Sequence, residues 1–186
     1  MPRTGMMAIR KDALVNAAIA EIGRAGSLEV TMGQIAKSAG VSSALAHHYF
    51  GSKDDLLLAA MRAIMAEFGA EALRRLKRAE GPQARCAAIT RACFSGRNFH
   101  PDVISAWLTF YVMALQDPRA GRLLKVYQGR LVSNLTHALR PWAKRPEDTA
   151  RSAAALIDGL YIRHALGAPD AEAAIKSVLD FLGVTE

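Results

Sequence analysis

Compact polar side chains crowd into a short stretch between residues 42 and 53. The stretch holds two serines, two adjacent histidines, a tyrosine and a lysine, with small or aliphatic residues between them: Ser42, Ser43, Ala44, Leu45, His47, His48, Tyr49 and Lys53. Hydroxyl, imidazole and ammonium groups donate hydrogen bonds to phosphate oxygens, and an aliphatic side chain such as Leu45 can contact a thymine methyl group. This chemistry favours contact with double-stranded DNA.

Two short helices must position these side chains. Apolar residues at helical spacing predict one helix of about two turns that begins at Thr31 and a second of roughly seven residues that begins at Ser42, with a glycine turn at residues 39–41 between them. Thr31 and Ser42 are the expected N-caps of these helices, and Ser52 is the expected N-cap of the next helix, with Asp55 as its capping-box partner. The arrangement is that of a helix-turn-helix, whose second helix enters the major groove with its N-terminal residues nearest the bases. Thr31 and Lys53 also stand at helix starts, which favour anions such as phosphate.

The same residues admit other interpretations. Short helix–glycine–helix patterns also occur in proteins that never contact DNA. Adjacent helical residues diverge by about 100° around the axis, so His47 and His48 do not easily bind one ion, and we expect no metal site. Tyr49 and Phe50 fit a packing wedge better than a platform for single-stranded nucleic acid, and we expect Phe50 in the core. Asp54 and Asp55 serve a helix start rather than catalysis.

Composition and charge restrict the class of protein. The 186 residues carry a formal net charge of +7, which favours a polyanionic partner. No phosphate-binding glycine loop, nucleophile elbow or Cys/His pair at catalytic spacing occurs, so we expect neither an enzyme nor a cofactor. Cys86 and Cys93 stand about 10 Å apart along one helix, too far for a disulfide. Without a signal peptide or a long apolar run, we expect a cytoplasmic protein.

Proline and glycine residues divide the chain into nine predicted helices with no strand, which makes the fold class all-α. Besides the two short helices that begin at Thr31 and Ser42, the predicted helices cover residues 8–25, 53–79, 82–96, 101–116, 118–140, 147–166 and 170–183. Residues 1–7 are expected to form an arm. The helix over 53–79 is expected to join an N-terminal helical trio to a larger C-terminal bundle.

Residues 31–56 carry a pattern that resembles the signature of the TetR/AcrR family of transcriptional regulators. The pattern is T-x-x-x-I-A-x-x-A-G-V-S-x-x-x-x-x-H-Y-F-x-x-K-x-x-L, from Thr31 to Leu56. The resemblance implies a helix-turn-helix DNA-binding domain in residues 1–52 and a ligand-sensing and dimerisation domain in residues 53–186. It also implies a homodimer that binds a palindromic operator. The family commonly has a tyrosine at the position of His47.

Three C-terminal stretches resemble the choline-responsive repressors within this family. They are AWLTFYVMALQDP (106–118), RLVSNL (130–135) and ALIDGLYIRHAL (155–166). This resemblance implies a repressor of the genes that convert choline to glycine betaine, released by choline or a related quaternary ammonium compound. The alternative is a repressor of the same fold that senses another small lipophilic or cationic compound and controls an efflux or catabolic operon.

The C-terminal residues include groups that suit a quaternary ammonium ion. Such an ion has no N–H to donate, and proteins hold it with aromatic faces and a carboxylate. The candidate ligand-binding residues are Trp107, Phe110, Tyr111, Tyr127, Asp158 and Tyr161. Aromatic residues at helical spacing also form ordinary core, and Asp158 can instead pair with an arginine or lie at a dimer contact. The apolar stripe of residues 170–183 fits either dimerisation or an internal core.

Overall fold

The structure is a computed structural model that describes residues 3–167 and 170–185, apart from the side chains of residues 3, 4 and 97. Within these residues it contains nine α-helices, one short 3-10 helix and no strand, which confirms the all-α prediction. The α-helices are α1 (Arg3–Ala25), α2 (Met32–Ser38), α3 (Ser43–Phe50), α4 (Lys53–Leu76), α5 (Gly81–Cys93), α6 (Pro101–Gln116), α7 (Pro118–Leu139), α8 (Pro146–Ala165) and α9 (Ala171–Leu182), and the 3-10 helix is Gly96–Phe99.

The helix ends differ from the prediction by three or more residues in three places. α1 begins at Arg3 rather than at residue 8, because the good helix formers Met6 and Met7 continue its pattern towards the N-terminus. Residues 1 and 2 of the predicted arm lie outside the described residues. α4 ends at Leu76, three residues early, and α5 ends at Cys93. The 3-10 helix that follows α5 was not predicted.

Local hydrogen bonds explain where the two short helices begin. The Thr31 hydroxyl accepts from the Gln34 N–H, while the Gln34 side chain accepts from the Thr31 N–H at 2.7 Å, which forms a capping box. The Ser42 hydroxyl accepts from the Leu45 N–H at 3.2 Å. Gly40, in the turn between α2 and α3, has a φ of 67°, a conformation that glycine adopts without strain. The predicted N-caps and turn are confirmed.

Close packing divides the chain into two compact units. Unit 1 falls within Met1–Ile64 and Pro101–Gly121, and unit 2 falls within Met65–His100 and Arg122–Glu186. α6 therefore groups with the first helices by packing, although it follows α5 in sequence. The predicted division into a DNA-binding domain (residues 1–52) and a ligand-sensing and dimerisation domain (residues 53–186) rests on function rather than on packing, and it stays a prediction.

α1 and α6 approach each other closely inside unit 1. A Cβ atom at Gly23 would lie only 2.5 Å from the Asp102 carbonyl oxygen, so the helices meet where α1 has no side chain. The core of unit 1 is aliphatic and aromatic, and its fully buried side chains include Leu14, Ile22, Ile35, Leu56, Met61, Ile104 and Phe110. This packing holds α6 firmly against α1.

Unit 2 has its own core, to which α9 contributes one face. The apolar stripe of α9 is buried within the unit, and its members are Ala174, Ile175, Val178, Leu179 and Leu182. Of the two interpretations of this stripe, internal core is the one that the burial supports. Two long-range bonds also tie unit 2 together: Tyr161 donates to the Cys93 carbonyl at 2.7 Å, and Trp142 donates to the Leu182 carbonyl at 3.3 Å.

Both cysteines are buried in unit 2 as free thiols. Burial raises the pKa of the Cys86 thiol to about 11, and it raises the pKa of Cys93 as well. The thiols are therefore protonated at neutral pH and inert. Among the described residues, no helix is both long and apolar enough to cross a membrane.

Candidate nucleic-acid interface and ligand cavity

α3 presents its polar side chains to solvent. Only Ala46 among its residues is buried, and it anchors the helix to the rest of unit 1. Ser42, Ser43, Ala44, His47 and His48 are exposed, whereas Leu45 and Tyr49 are half-buried. Seven of the eight predicted DNA contacts of this stretch therefore lie on or beside one short exposed helix, and the eighth, Lys53, begins α4. A helix of this kind is free to enter a groove.

The two capping hydroxyls keep a free donor. Thr31 and Ser42 each use an oxygen lone pair to accept a backbone N–H, and a hydroxyl can still donate its own hydrogen. Both residues are exposed at the start of a helix, where the positive end of the helix dipole also attracts an anion. Capping a helix and binding a phosphate are therefore compatible at Thr31 and Ser42.

His47 is oriented by the end of its own helix. Its Nδ1 lies 3.1 Å from the Gly51 carbonyl oxygen. A carbonyl oxygen only accepts, so Nδ1 carries the hydrogen, and the neutral ring leaves Nε2 without one. His47 thus offers Nε2 as an acceptor when neutral and as a donor when protonated, and only the protonated ring suits a phosphate.

The burial of Phe50, at the end of α3, differs from the prediction. The rings of His48 and Tyr49 lie with their centroids 5.6 Å apart. Phe50 is half-buried rather than in the core, and the Lys11 ammonium lies 5.9 Å from its ring centroid. The expectation of a core residue was wrong because Phe50 stands at the last turn of α3, where α1 covers one side of its ring with a charged side chain.

Lys53 makes a contact that the sequence did not reveal. Its ammonium donates to the Leu28 carbonyl at 2.9 Å and is half-buried. The bond ties the first residue of α4 to the loop between α1 and α2. An ammonium has three donors, so this bond leaves two N–H groups at the start of α4.

A further cluster at the start of α4 was missed. Asp55 accepts from the Ser52 hydroxyl at 2.6 Å and from Arg119 at 2.7 Å, and Arg119 also pairs with Asp117 at 3.0 Å. The Ser52 hydroxyl, and after it Arg119, lower the pKa of Asp55, while Arg119 lowers that of Asp117. The 3.1 Å bond from the Asp55 N–H to the Ser52 hydroxyl confirms Ser52 as the predicted cap. The Asp55 carboxylate accepts from the Ser52 hydroxyl, whereas the Ser52 N–H donates to the Phe50 carbonyl, so the reciprocal bond of the predicted capping box is not formed. Nothing in the sequence indicated Arg119, 64 residues away.

The six candidate ligand residues fall into both units. Trp107, Phe110 and Tyr111 lie on α6 in unit 1. The rings of Trp107 and Tyr111 meet edge to face, with centroids 5.9 Å apart, as their spacing predicted. Phe110 is fully buried in the core of this unit.

The remaining three candidates lie in unit 2, at two places. Tyr161 is buried in an aromatic cluster with Phe94 and Phe99, and its hydroxyl donates a hydrogen bond to the Cys93 carbonyl. Tyr127 and Asp158 instead line one cavity between α7 and α8, with a volume of about 690 Å³. The structure thus brings these two candidates together around an open space.

The cavity between α7 and α8 is mixed in character. Its charged and polar lining includes groups that sequence reasoning missed, namely Lys125, Gln128, Ser133, Thr136, Glu147 and Arg151. Arg151 pairs with Glu147 at the cavity wall. The Tyr127 ring is held edge to face by Phe68, with centroids 5.1 Å apart. Aromatic face, carboxylate and hydroxyl groups therefore converge on one space that can hold a small polar cation.

α8 and α9 leave apolar surface exposed in unit 2, which we call the dimer face because it is the candidate site of a homodimer contact. It consists of small and apolar residues that are exposed or half-buried: Ala155, Gly159, Ile162 and Leu166 along α8 and its end, and Ala173, Ser177 and Phe181 along α9. Their spacing of three or four residues places each set on one side of its helix. Exposed apolar surface of this kind marks contact with another molecule.

Two family models match the chain. The model described as bacterial regulatory proteins, tetR family, matches residues 14–60, and the model described as BetI-type transcriptional repressor, C-terminal, matches residues 82–184. The first range contains α2, α3 and the start of α4. The second contains the cavity and the dimer face.

Curated relatives match over nearly the full length. The HTH-type transcriptional regulator BetI of Brucella suis biovar 1 is 50% identical over 188 residues, which cover 99% of this chain and 95% of the relative. The regulator of the same name from Agrobacterium fabrum is 49% identical over 169 residues, covering 89% and 82%.

A solved structure shares the fold. A transcriptional regulator from Saccharomonospora viridis in complex with choline superposes with a TM-score of 0.83, over 93% of this chain and 95% of that chain, at 22% identity. A likeness at this identity concerns the arrangement of helices alone.

Proposed function

Because this chain belongs to the TetR family of bacterial regulators and has a BetI-type C-terminal domain, we propose that it is a dimeric repressor released from a palindromic operator by choline or a related quaternary ammonium compound. It would thereby control the synthesis of glycine betaine from choline. The observation that carries this proposal is the identity of 50% to BetI regulators over 99% of the chain. The family membership makes the chain a transcriptional regulator, and the prediction that it is not an enzyme is confirmed.

Operator binding rests on the exposure of α3. Ser43, Ala44 and Leu45 in its first turn are the proposed contacts to base edges, with Leu45 against a thymine methyl group. Phosphate contacts come from the flanking donors, which are Thr31, Ser42, His47, His48, Tyr49 and Lys53. Lys53 retains two N–H groups at the start of α4, which supports its role as a phosphate contact.

Dimerisation is proposed through the dimer face on α8 and α9. Exposed Ile162, Leu166 and Phe181 supply apolar area, while Gly159 and the alanines allow two helices to approach closely. Two copies related by a twofold axis present two α3 helices, which must stand about 34–36 Å apart to reach successive major grooves. A palindromic operator follows from this symmetry.

Choline binding is proposed in the cavity between α7 and α8. The quaternary ammonium would lie against Tyr127 and near the Asp158 carboxylate, and a hydroxyl group of the ligand would reach Ser133 or Thr136. Trp107, Phe110 and Tyr161 are proposed with less support than Tyr127 and Asp158, because their rings are buried in the cores of their units. The same holds for the half-buried Tyr111, whose ring packs against Trp107. Release then requires that choline bind more tightly to the form that does not fit DNA, which we propose to differ in the tilt of α4.

A titration with matched ligands tests this proposal. An operator selected from random duplexes is bound by the protein, and choline, betaine aldehyde, glycine betaine and the uncharged choline isostere 3,3-dimethylbutanol are added in parallel. We expect release by choline or betaine aldehyde and none by the uncharged isostere, with calorimetry showing the same order of affinity. Asp158→Asn should weaken choline binding, whereas Asp148→Asn, which removes an exposed carboxylate of α8, should not.

Two results would redirect the proposal. Release by the uncharged isostere as readily as by choline would contradict recognition of a quaternary ammonium and favour a sensor of lipophilic compounds. Absence of any release by the choline series would remove choline as inducer while leaving the repressor assignment in place.

A further inference from the structure

We propose that Arg119 is a positioning residue for DNA binding: by pairing with Asp55 it holds the first turn of α4 in place without touching DNA itself. The inference rests on the proposed function, since it concerns the phosphate contacts at the start of α4. Asp55, Asp117 and Arg119 all belong to unit 1. Their arrangement links the corner between α6 and α7 to the helix that begins immediately after α3.

Asp55 uses both carboxylate oxygens in this link. Oδ1 accepts from Arg119 Nη1 at 2.7 Å, and Oδ2 accepts from the Ser52 hydroxyl at 2.6 Å. The Ser52 hydroxyl oxygen in turn accepts the Asp55 N–H at 3.1 Å, which caps α4. The carboxylate thus connects a distant guanidinium to the residue just before Lys53.

Arg119 is also positioned by hydrogen bonds to Asp117. Asp117 accepts from the Arg119 backbone N–H at 2.7 Å and from its Nη2 at 3.0 Å. The corner around it is tight, because a Cβ atom at Gly121 would lie 3.2 Å from the Ala114 carbonyl oxygen. A guanidinium fixed in this way loses less side-chain entropy on pairing than a free one.

The charge of the pair explains its role. A lone carboxylate in the first turn of α4 would lie beside Ser52 and Lys53 and repel an approaching phosphate. Arg119, whose charge is shared with Asp117, offsets part of the charge of that carboxylate and keeps it turned towards Ser52. An exposed ion pair adds little to global stability, so the expected effect is on DNA affinity rather than on the melting temperature.

A double-mutant cycle on operator affinity tests the inference. Arg119→Gln, Asp55→Asn and the double variant are compared with Arg122→Gln, which removes an equal charge from an exposed position of the same helix. We expect Arg119→Gln to weaken operator binding roughly fivefold and Arg122→Gln to change it by less than about twofold. In the Asp55→Asn background Arg119→Gln should have no further effect. Arg119→Lys keeps the charge but lacks the planar guanidinium that contacts both carboxylates, so it should bind the operator more tightly than Arg119→Gln and less tightly than the unaltered protein.

The salt dependence separates positioning from direct contact. A residue that contacts phosphate lowers the slope of log K against log salt by about one when it is removed. We expect the slope of Arg119→Gln to match that of the unaltered protein, and hydrogen exchange of the Asp55 amide to quicken in this variant but not in Arg122→Gln.

Three results would overturn the inference: an equal loss in both backgrounds, a slope lowered by about one, or no loss beyond that of Arg122→Gln. Each of these leaves the proposed function standing. If the unaltered protein binds no duplex DNA, the proposed function fails and takes this inference with it.

Discussion

His47 shows how one side chain can test the interface. The Gly51 carbonyl holds Nδ1 as the protonated nitrogen, so the neutral ring presents no hydrogen to a phosphate. A tyrosine, which the family commonly has here, always carries a hydroxyl donor. We therefore expect His47→Tyr to bind the operator as tightly as the unaltered protein or more tightly, as measured by fluorescence anisotropy.

His47→Phe is the matched variant, because it keeps the ring and removes every donor. We expect it to bind roughly thirtyfold more weakly than His47→Tyr, since one hydrogen bond of about 1 kcal/mol is lost in each subunit. Equal affinities of the tyrosine and phenylalanine variants would contradict a phosphate contact at this position.

Cys86 makes the stability of the protein sensitive to alkaline pH. Its pKa is about 11 in the folded protein against 9.0 when unperturbed. Above pH 9 the unfolded chain releases this proton while the folded protein keeps it, so folding is destabilised as pH rises towards 11. We expect Cys86 to account for about 1 kcal/mol of the stability lost between pH 8 and pH 10.

Urea unfolding of Cys86→Ala at the two pH values measures this contribution. The variant should lose less stability over the interval than the unaltered protein, whatever its stability at pH 8. Equal losses would mean that Cys86 does not titrate differently on unfolding.

At the scale of single residues, the sequence predicted what is local. The caps at Thr31, Ser42 and Ser52 followed from the residue types at the helix starts, and the structure confirms all three. The bond from Lys53 to Leu28 and the pair between Arg119 and Asp55 span 25 and 64 residues. Periodicity carries no information on such contacts, because they depend on how whole helices pack.

The crossing of α1 and α6 depends on the absence of one side chain. A Cβ atom at Gly23 would meet the backbone of Asp102 at 2.5 Å, and backbone atoms cannot turn aside as a flexible side chain can. We expect Gly23→Ala to force the helices apart and to destabilise the protein by about 1–3 kcal/mol. Urea denaturation measures the loss.

Gly129→Ala is the control for this change. Gly129 is an exposed position within α7, and no atom lies within 4 Å of a Cβ placed there. Alanine should therefore leave stability unchanged or raise it by about 0.5–1 kcal/mol through helix propensity. If Gly23→Ala proved as stable as Gly129→Ala, the close crossing of α1 and α6 would be wrong.

At the scale of elements, prolines made the prediction of helix starts reliable. Pro101, Pro118 and Pro146 each stand at the first residue of an observed helix. The prediction failed where such signals are weak, at the start of α1 and in the 3-10 helix after Cys93. It also could not group α6 with α1, because the glycine that permits their contact looks in the sequence like any other glycine in a helix.

For the whole molecule, the dimer face should decide both assembly and DNA binding. Ile162 is 49% exposed near its centre. A glutamate there would bury a charge against its symmetry mate in a dimer while remaining solvated in a monomer. We expect Ile162→Glu to weaken the dimer at least roughly tenfold without lowering helix content, as measured by sedimentation equilibrium.

Val112→Glu provides the comparison, because Val112 is 52% exposed on α6, outside the dimer face. It should leave the dimer intact. Loss of the dimer in this variant, or its persistence in Ile162→Glu, would place the interface elsewhere on the protein.

Selection of binding sites from random duplex DNA tests the central claim, that α3 reads the operator, most directly. The unaltered protein should select an inverted repeat whose half-sites lie about one helical turn, or a multiple of it, apart. Ser43→Ala and Leu45→Ala should relax the preference at one position in each half-site while the rest of the repeat persists. Selection of no repeat, or the same base preferences in both variants, would contradict the assignment of α3 as the recognition helix.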